Sequence, residues 1–87
     1  MDERRKKLRF RAWRRGFREI DLIMGGFADR RIEEMSETGL DEFERLLDAS
    51  DQDVYAWIVG SAPAPSDYDT PTLAAIKAFQ FFTAQNP

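Results

Sequence analysis

The stretch FRAWRRGFREIDLIMGGF, residues 10–27, decides the predicted fold. Its apolar side chains recur every three or four residues, which places them along one side of an α-helix. They are Phe10, Trp13, Phe17, Ile20, Met24 and Phe27. Gly16 interrupts this pattern, and a glycine inside a helix costs about 1 kcal/mol relative to alanine. The stretch therefore predicts one bent helix or two helices joined near Gly16, where the backbone kinks or another surface approaches closely.

Three further helices are predicted after this stretch, each marked by apolar residues at helical spacing. The apolar residues are Leu40, Phe43, Leu46 and Leu47 in a helix over Leu40–Asp48, then Val54, Trp57 and Ile58, then Leu73, Ile76, Phe79 and Phe82. Thr38 and Ser50 are candidate N-terminal caps, since their side chains can accept from backbone N–H groups. Gly60 is a C-terminal stop, and Thr70-Pro71 opens the last helix.

The predicted fold class is all-α: a small bundle of four or five helices in a single domain over residues 1–87. No segment combines β-branched residues with two-residue alternation, so no strand is expected. Residues 1–7 are expected to form a mobile basic arm, 61–70 a loop before the last helix, and 84–87 a frayed end. Gly25-Gly26 predicts a kink or a thin point in a helix. Because Phe81 and Phe82 are adjacent, one of them is expected to be exposed.

The charge of the chain is divided unevenly along its length. The net charge is −3. Residues 1–18 hold nine basic and two acidic residues, a net +7, whereas residues 19–87 hold four basic and fourteen acidic residues, a net −10. This asymmetry indicates either an interaction surface at the N-terminus or a helix face that contacts the chain's own acidic body.

The composition argues against an enzyme. The chain has no histidine and no cysteine, which removes the usual general base, the thiolate nucleophile, disulfides and the commonest zinc ligands. No phosphate-binding loop occurs, and the carboxylates are interpreted as solvated faces and helix caps. No metal site is expected. The mean hydropathy is −0.56. With no long apolar run and no secretory leader, we expect a cytoplasmic protein without membrane insertion.

Residues 15–19 carry a motif that these arguments leave unexplained. Arg15 and Glu19 are four residues apart and could form a weak ion pair on a helix surface. A weak pair beside a costly glycine makes little sense as a stabilising device. It makes more sense if both side chains meet a partner.

This stretch resembles the RGxxE motif of the succinate dehydrogenase FAD assembly factors, the family of the bacterial SdhE proteins and their mitochondrial counterparts. The resemblance extends through the segment RRGFREIDL at 14–22 and the segment at 24–27. It continues in LDEFERLL at 40–47 and DQDVYAWI at 51–58. It covers roughly residues 8–82, with the helices in the family's order. The glycine pair at 25 and 26 departs from the family's pattern in the second helix, where one glycine at most is expected.

The resemblance implies a five-helix bundle without enzymatic activity of its own. Family members bind the flavoprotein subunit of succinate dehydrogenase, and in some bacteria that of fumarate reductase. They promote covalent attachment of FAD to a histidine of that subunit. The FAD and the histidine would thus belong to the client, and this chain would hold no stable cofactor. We expect a monomer.

The residues that the motif assigns to partner binding are Arg15, Gly16 and Glu19, with Arg14, Phe17, Arg18 and Asp21 as neighbours. On this hypothesis Gly16 lets the client backbone approach, Arg15 donates to client oxygens and Glu19 accepts from donors near the flavin. A larger residue at Gly16 would then block docking and leave the fold intact.

Two other functions compete with this hypothesis. A nucleic-acid-binding helical protein could contact phosphates through the basic N-terminal helix and Trp13. The acidic total charge and the lack of a second basic element argue against it. A generic helical adaptor could use the stripe of residues 10–27 in a partner's groove.

Overall fold

The described residues form five α-helices, in agreement with the all-α prediction. The computed structural model describes the backbone of residues 1–85 and the side chains of residues 1–79. The helices are α1 (Glu3–Ala12), α2 (Arg18–Arg31), α3 (Glu37–Asp48), α4 (Asp51–Val59) and α5 (Pro71–Gln85). One 3₁₀ turn, Ile32–Glu34, follows α2, and another, Ser66–Tyr68, lies within the predicted loop 61–70. None of the described residues forms a strand.

The first third of the chain forms two helices, which settles the choice left by the sequence. Gly16 lies between α1 and α2 with φ +155°, a conformation that favours glycine. Helix α2 continues through Gly25 and Gly26 without a break, so the kink or thin point predicted there does not divide the helix. Instead, Gly25 makes room for Trp13: a Cβ atom at Gly25 would lie 2.2 Å from Cδ2 of that indole. A close approach of the kind predicted for Gly16 is thus also found at Gly25, against the Trp13 ring.

The core is formed by the apolar faces of all five helices. The largest side chains that are fully buried include Phe27, Phe43, Ile20, Met24, Leu40 and Ile76. The predicted stripes of α3 and α4 are confirmed, since each of their members is buried. Phe10 is an exception to the first stripe, because 59% of it is exposed. The stripe assumed one helix, and the turn after α1 removes Phe10 from the face that α2 buries.

Local capping signals set most helix ends. Ser50 Oγ accepts from the Asp53 N–H, and Gly60 ends α4 in the left-handed conformation with φ +85°. Thr70 Oγ1 accepts from the Leu73 N–H at 3.2 Å. These three predictions are confirmed. The predicted cap Thr38 is wrong: α3 begins at Glu37, three residues before the predicted Leu40, and its cap is Ser36, whose side chain accepts from the Gly39 N–H at 3.1 Å.

The basic N-terminus packs against the chain's own acidic residues. Helix α1 begins at Glu3, so most of the predicted arm 1–7 is helical. Arg4 lies 2.6–3.0 Å from three carboxylates of α3, those of Glu37, Asp41 and Glu44. The hydrogen bonds to Asp41 and then Glu44 raise the pKa of Arg4 above its usual value. The alternative of a helix face that contacts the acidic body therefore accounts for part of the basic run.

The C-terminal predictions are tested only as far as the described residues reach. Helix α5 extends to Gln85, and residues 86 and 87 of the predicted frayed end lie outside the description. The side chains of Phe81 and Phe82 also lie outside it. Among the helices that are described, none is long and apolar enough to cross a membrane.

Candidate functional site

The backbone between α1 and α2 is held by the first turn of α2. Asp21 Oδ1 accepts from the N–H of Arg15 at 2.6 Å and from that of Gly16 at 3.3 Å. Asp21 is half-buried. A carboxylate that accepts from two neighbouring amides fixes their orientation, since charged acceptors form stronger hydrogen bonds than neutral ones. Asp21, one of the predicted site residues, thus fixes the backbone of the turn that carries the motif.

The Arg15 side chain points into the molecule. Its Nη2 lies 2.6 Å from Asp51 Oδ1 at the start of α4, and it donates to the Ala49 carbonyl at 3.2 Å. Only 10% of the Arg15 side chain is exposed. Asp51 Oδ1 and Arg15 Nε are buried and make no hydrogen bond among the described residues. The contact with Asp51 is therefore held by charge rather than by an aligned hydrogen bond.

The alternative of a helix-surface ion pair between Arg15 and Glu19 is wrong, because the two residues do not share a helix. Arg15 precedes α2, which begins at Arg18 and contains Glu19. The ionic partner of Arg15 is Asp51. Asp51 and Asp53 both lie in the first turn of α4, and no local signal in the sequence distinguishes them.

Gly16 faces the same carboxylate. A Cβ atom at Gly16 would lie 2.7 Å from Asp51 Oδ2. With φ +155°, the residue is also in a region that other amino acids rarely adopt. The geometry therefore argues against the expectation that a larger residue at Gly16 leaves the fold intact, since the substitution strains this chain before any partner arrives.

Phe17 joins the motif to α4. Its ring packs edge-to-face on Tyr55, with ring centroids 5.2 Å apart and an interplanar angle of 82°. Both residues are half-buried at the border of the core. Phe17 caps α2 through its extended backbone, without a side-chain hydrogen bond. Phe17 and Arg15 thus both fasten the turn to the beginning of α4.

Three of the predicted site residues remain on the outside, and we call Arg14, Arg18 and Glu19 the corner surface. All three are exposed. The Arg14 guanidinium lies over the exposed Phe10 ring, 3.8 Å from its centroid. None of the three forms an ion pair with another described residue. The corner surface is therefore available to groups from another molecule.

Trp13, at the end of α1, contacts α2, whereas the sequence places it in the core stripe or, in the nucleic-acid alternative, among the phosphate contacts. Its ring lies against Gly25, and its Nε1–H donates to Asp29 Oδ1 at 3.2 Å. Within the described part of the chain, no group of three or more acidic side chains could hold a metal ion. The arrangement can thus recognise charged groups of a partner at a turn of fixed geometry.

Comparisons with known proteins agree with the motif. The family model described as "Flavinator of succinate dehydrogenase" matches residues 6–80. The chain is 32% identical over 77 residues to "Succinate dehydrogenase assembly factor 2, mitochondrial" of Dictyostelium discoideum. The aligned region covers 88% of this chain and 55% of that relative. The chain is 36% identical over 70 residues to "FAD assembly factor SdhE" of Acetobacter pasteurianus, covering 80% and 64%.

A third relative gives the same picture. A "Succinate dehydrogenase assembly factor 2, mitochondrial" of Scheffersomyces stipitis is 37% identical over 73 residues, covering 84% of this chain and 45% of the relative. The matched region thus spans about half to two thirds of these relatives. The family model's match, residues 6–80, contains the whole turn between α1 and α2.

Proposed function

This chain belongs to the flavinator of succinate dehydrogenase family, and we propose on that premise that it is an assembly factor for a flavoprotein. It binds the flavoprotein subunit of succinate dehydrogenase and promotes covalent attachment of FAD to that subunit. The flavoprotein subunit of fumarate reductase is a second client of the same kind. The observation that carries the proposal is the family match over residues 6–80, which includes every residue of the motif.

Docking uses the corner surface in this proposal. Arg14, Arg18 and Glu19 are exposed and form no ion pair with a described residue, so they can form charge-assisted hydrogen bonds with client carboxylates and amides. The partner-binding site also includes the residues that shape the turn, which are Arg15, Gly16 and Asp21. Phe17 anchors the turn to α4. A rigid turn loses little conformational entropy on binding, which favours affinity.

The chain acts by positioning and supplies no catalytic group in this proposal. The FAD and the histidine that becomes flavinylated both belong to the client. Binding holds the client in a conformation in which these two groups are aligned, and alignment alone can lower a barrier by several kcal/mol. The cytoplasmic location remains a prediction, since two of the relatives described above are named mitochondrial.

A reconstitution with purified components tests the proposal. The unflavinylated client subunit is mixed with FAD and this chain, and covalent flavin is measured by its fluorescence after denaturation. We expect the chain to bind the subunit and to raise the rate of flavin attachment. No binding, or binding without any change in that rate, would contradict the proposal.

Arg18→Ala tests the corner surface, with Arg30→Ala as a matched control. Both arginines are exposed on α2, at opposite ends, and neither forms an ion pair among the described residues. Arg18→Ala should weaken client binding about 10-fold, the loss expected for one exposed but well-oriented charged hydrogen bond. Arg30→Ala should bind as the unmodified chain does. Equal losses in the two variants would mean that only total charge matters.

The nucleic-acid alternative has no support in the fold or in the comparisons. Arg4, Arg9 and Arg11 of α1 each lie within 3.0 Å of a carboxylate of this chain. These pairs reduce the positive charge that the helix offers to phosphates.

A further inference from the structure

The ion pair between Arg15 and Asp51 joins two parts of the chain that are far apart in sequence. Arg15 belongs to the connection between α1 and α2, whereas Asp51 is the first residue of α4. The same guanidinium donates to the carbonyl of Ala49, which caps the end of α3. One side chain thus ties the motif to the junction between α3 and α4.

Two carboxylates hold the same two motif residues from different sides. Asp21 accepts from the backbone N–H groups of Arg15 and Gly16. Asp51 pairs with the Arg15 side chain, and its Oδ2 fills the space beside Gly16. Only 10% of the Arg15 side chain and 25% of the Asp51 side chain are exposed, so solvent screens this pair less than a surface pair. Both the backbone of the turn and the side chain of Arg15 are thereby fixed.

We infer that Asp51 is a positioning residue of the docking site, and that Arg15 acts inside the chain rather than on the client. The pair holds the turn so that Arg14, Arg18 and Glu19 present their charges in one fixed arrangement. This inference rests on the proposed function, because the arrangement matters only if the corner surface meets a client. It assigns the motif arginine a partner within its own chain.

Loss of Asp51 has a physical consequence that loss of an exposed acid does not have. Without the carboxylate, the Arg15 guanidinium keeps only the Ala49 carbonyl among the contacts described above, while most of its surface stays out of water. An unpaired buried charge is costly, so the side chain leaves its place and releases the turn. Asp53 lies in the same first turn of α4, but it is exposed and forms no ion pair with a described residue. It provides the matched control.

Hydrogen exchange of the full chain without client is the first measurement. Asp51→Asn should raise exchange of the Arg15 and Gly16 amides about 10-fold or more, since these amides depend on the held turn. Asp53→Asn should leave them unchanged. Unchanged exchange in Asp51→Asn would overturn the inference, whether or not the chain binds a flavoprotein.

Client binding by fully folded protein is the second measurement, with circular dichroism to verify folding. Asp51→Asn should reduce client binding or the flavinylation rate by about 10-fold or more, because small misplacements of interacting groups have large effects. Arg18→Ala should then cost much less in the Asp51→Asn background than in the unmodified chain, since the two residues act as a unit. Additive losses would overturn the inference.

The two proposals fail in different ways. If the unmodified chain binds no flavoprotein subunit, the proposed function fails, and the exchange experiment still decides whether Asp51 holds the turn. If the unmodified chain binds and Asp51→Asn binds equally well, the positioning role fails while the proposed function stands.

Discussion

The connections between α1 and α2 and between α4 and α5 both contain a glycine with positive φ, but different forces hold them. Among the described residues, apart from Gly60 and its two chain neighbours, no atom lies within 4 Å of the place where a Cβ of residue 60 would stand. Its turn closes locally, with the Gly60 and Ser61 N–H groups donating to the Ala56 carbonyl at 3.0 Å. Gly16 lies against Asp51, which comes from another helix. A glycine at a helix end can thus mark a local cap or a tertiary contact, and the difference determines what its substitution disturbs.

The largest effect in this comparison is expected from Gly25→Ala, which disturbs the connection between α1 and α2 by displacing Trp13. The added Cβ would lie 2.2–2.6 Å from three atoms of the indole, so the ring must leave its place. Displacing a packed aromatic ring should lower the free energy of unfolding by about 3 kcal/mol, the upper end of overpacking costs. Urea denaturation measures this loss, and tryptophan fluorescence reports the movement of the ring.

Gly26→Ala is the control for that prediction, since it makes the same change one residue later in the same helix. Its added Cβ would lie 3.4 Å from the nearest atom, Phe79 Cζ, which is close to ordinary contact. Alanine is the better helix former by about 1 kcal/mol, so the protein should be unchanged or slightly stabilised. A loss in Gly26→Ala as large as that in Gly25→Ala would mean that the Trp13 contact is not the cause.

Gly16→Ala is expected to have the second largest effect and to disturb the site as well. The substitution strains the backbone at φ +155° and pushes against Asp51 Oδ2. Backbone strain of this kind costs about 1–3 kcal/mol, so the midpoint of thermal unfolding should fall measurably. Flavinylation of the client should fall with it, even in conditions where the variant is folded. If the variant lost client binding while its unfolding midpoint stayed unchanged, the hypothesis that Gly16 only lets the client backbone approach would be restored.

Gly60→Ala makes the same substitution in the connection between α4 and α5, which closes locally. The left-handed conformation at φ +85° costs alanine about 1 kcal/mol, and the open space around the residue adds no clash. We expect a small loss of stability in urea and unchanged client binding, since Gly60 lies apart from the corner surface. A loss of client binding as large as that of Gly16→Ala would show that general stability, rather than the held turn, governs docking.

The same difference explains what could be predicted from the sequence. The caps at Ser50, Gly60 and Thr70 depend on residues within a few positions, so local patterns reveal them. The buried faces of α3 and α4 follow from helical spacing for the same reason. Ser36 was missed because Thr38 is an equally plausible cap two residues later, and the choice depends on where α3 meets its neighbours.

For the candidate site, the sequence predicts which residues belong to the motif but not which way their side chains point. The family resemblance identifies the motif, but nothing in the spacing indicates that Arg15 points inward and Arg18 outward. Arg15 pairs with Asp51 of α4, a residue far away in sequence, so its inward orientation follows from a tertiary contact. The prediction that Phe10 belongs to a buried stripe is wrong for the same reason, since its exposure follows from the turn between two helices rather than from its spacing.

Asp2→Asn gives the smallest expected effect and tests a second local cap, the one that begins α1. Asp2 Oδ1 accepts from the Arg5 N–H at 2.8 Å, and this hydrogen bond is the main cause that lowers the pKa of Asp2 below its usual value. A carboxyl with a lowered pKa in the folded state stabilises the protein above its unfolded pKa, and this contribution disappears as the pH falls through the folded pKa. Asparagine caps helices about as well as aspartate, so stability at pH 7 should barely change. Below about pH 4 the variant should lose less stability than the unmodified chain, as acid titrations followed by circular dichroism can measure. Because this cap is local, hydrogen exchange at Arg15 and Gly16 should stay the same at pH 7, and faster exchange there would mean that the start of α1 also helps to hold the turn.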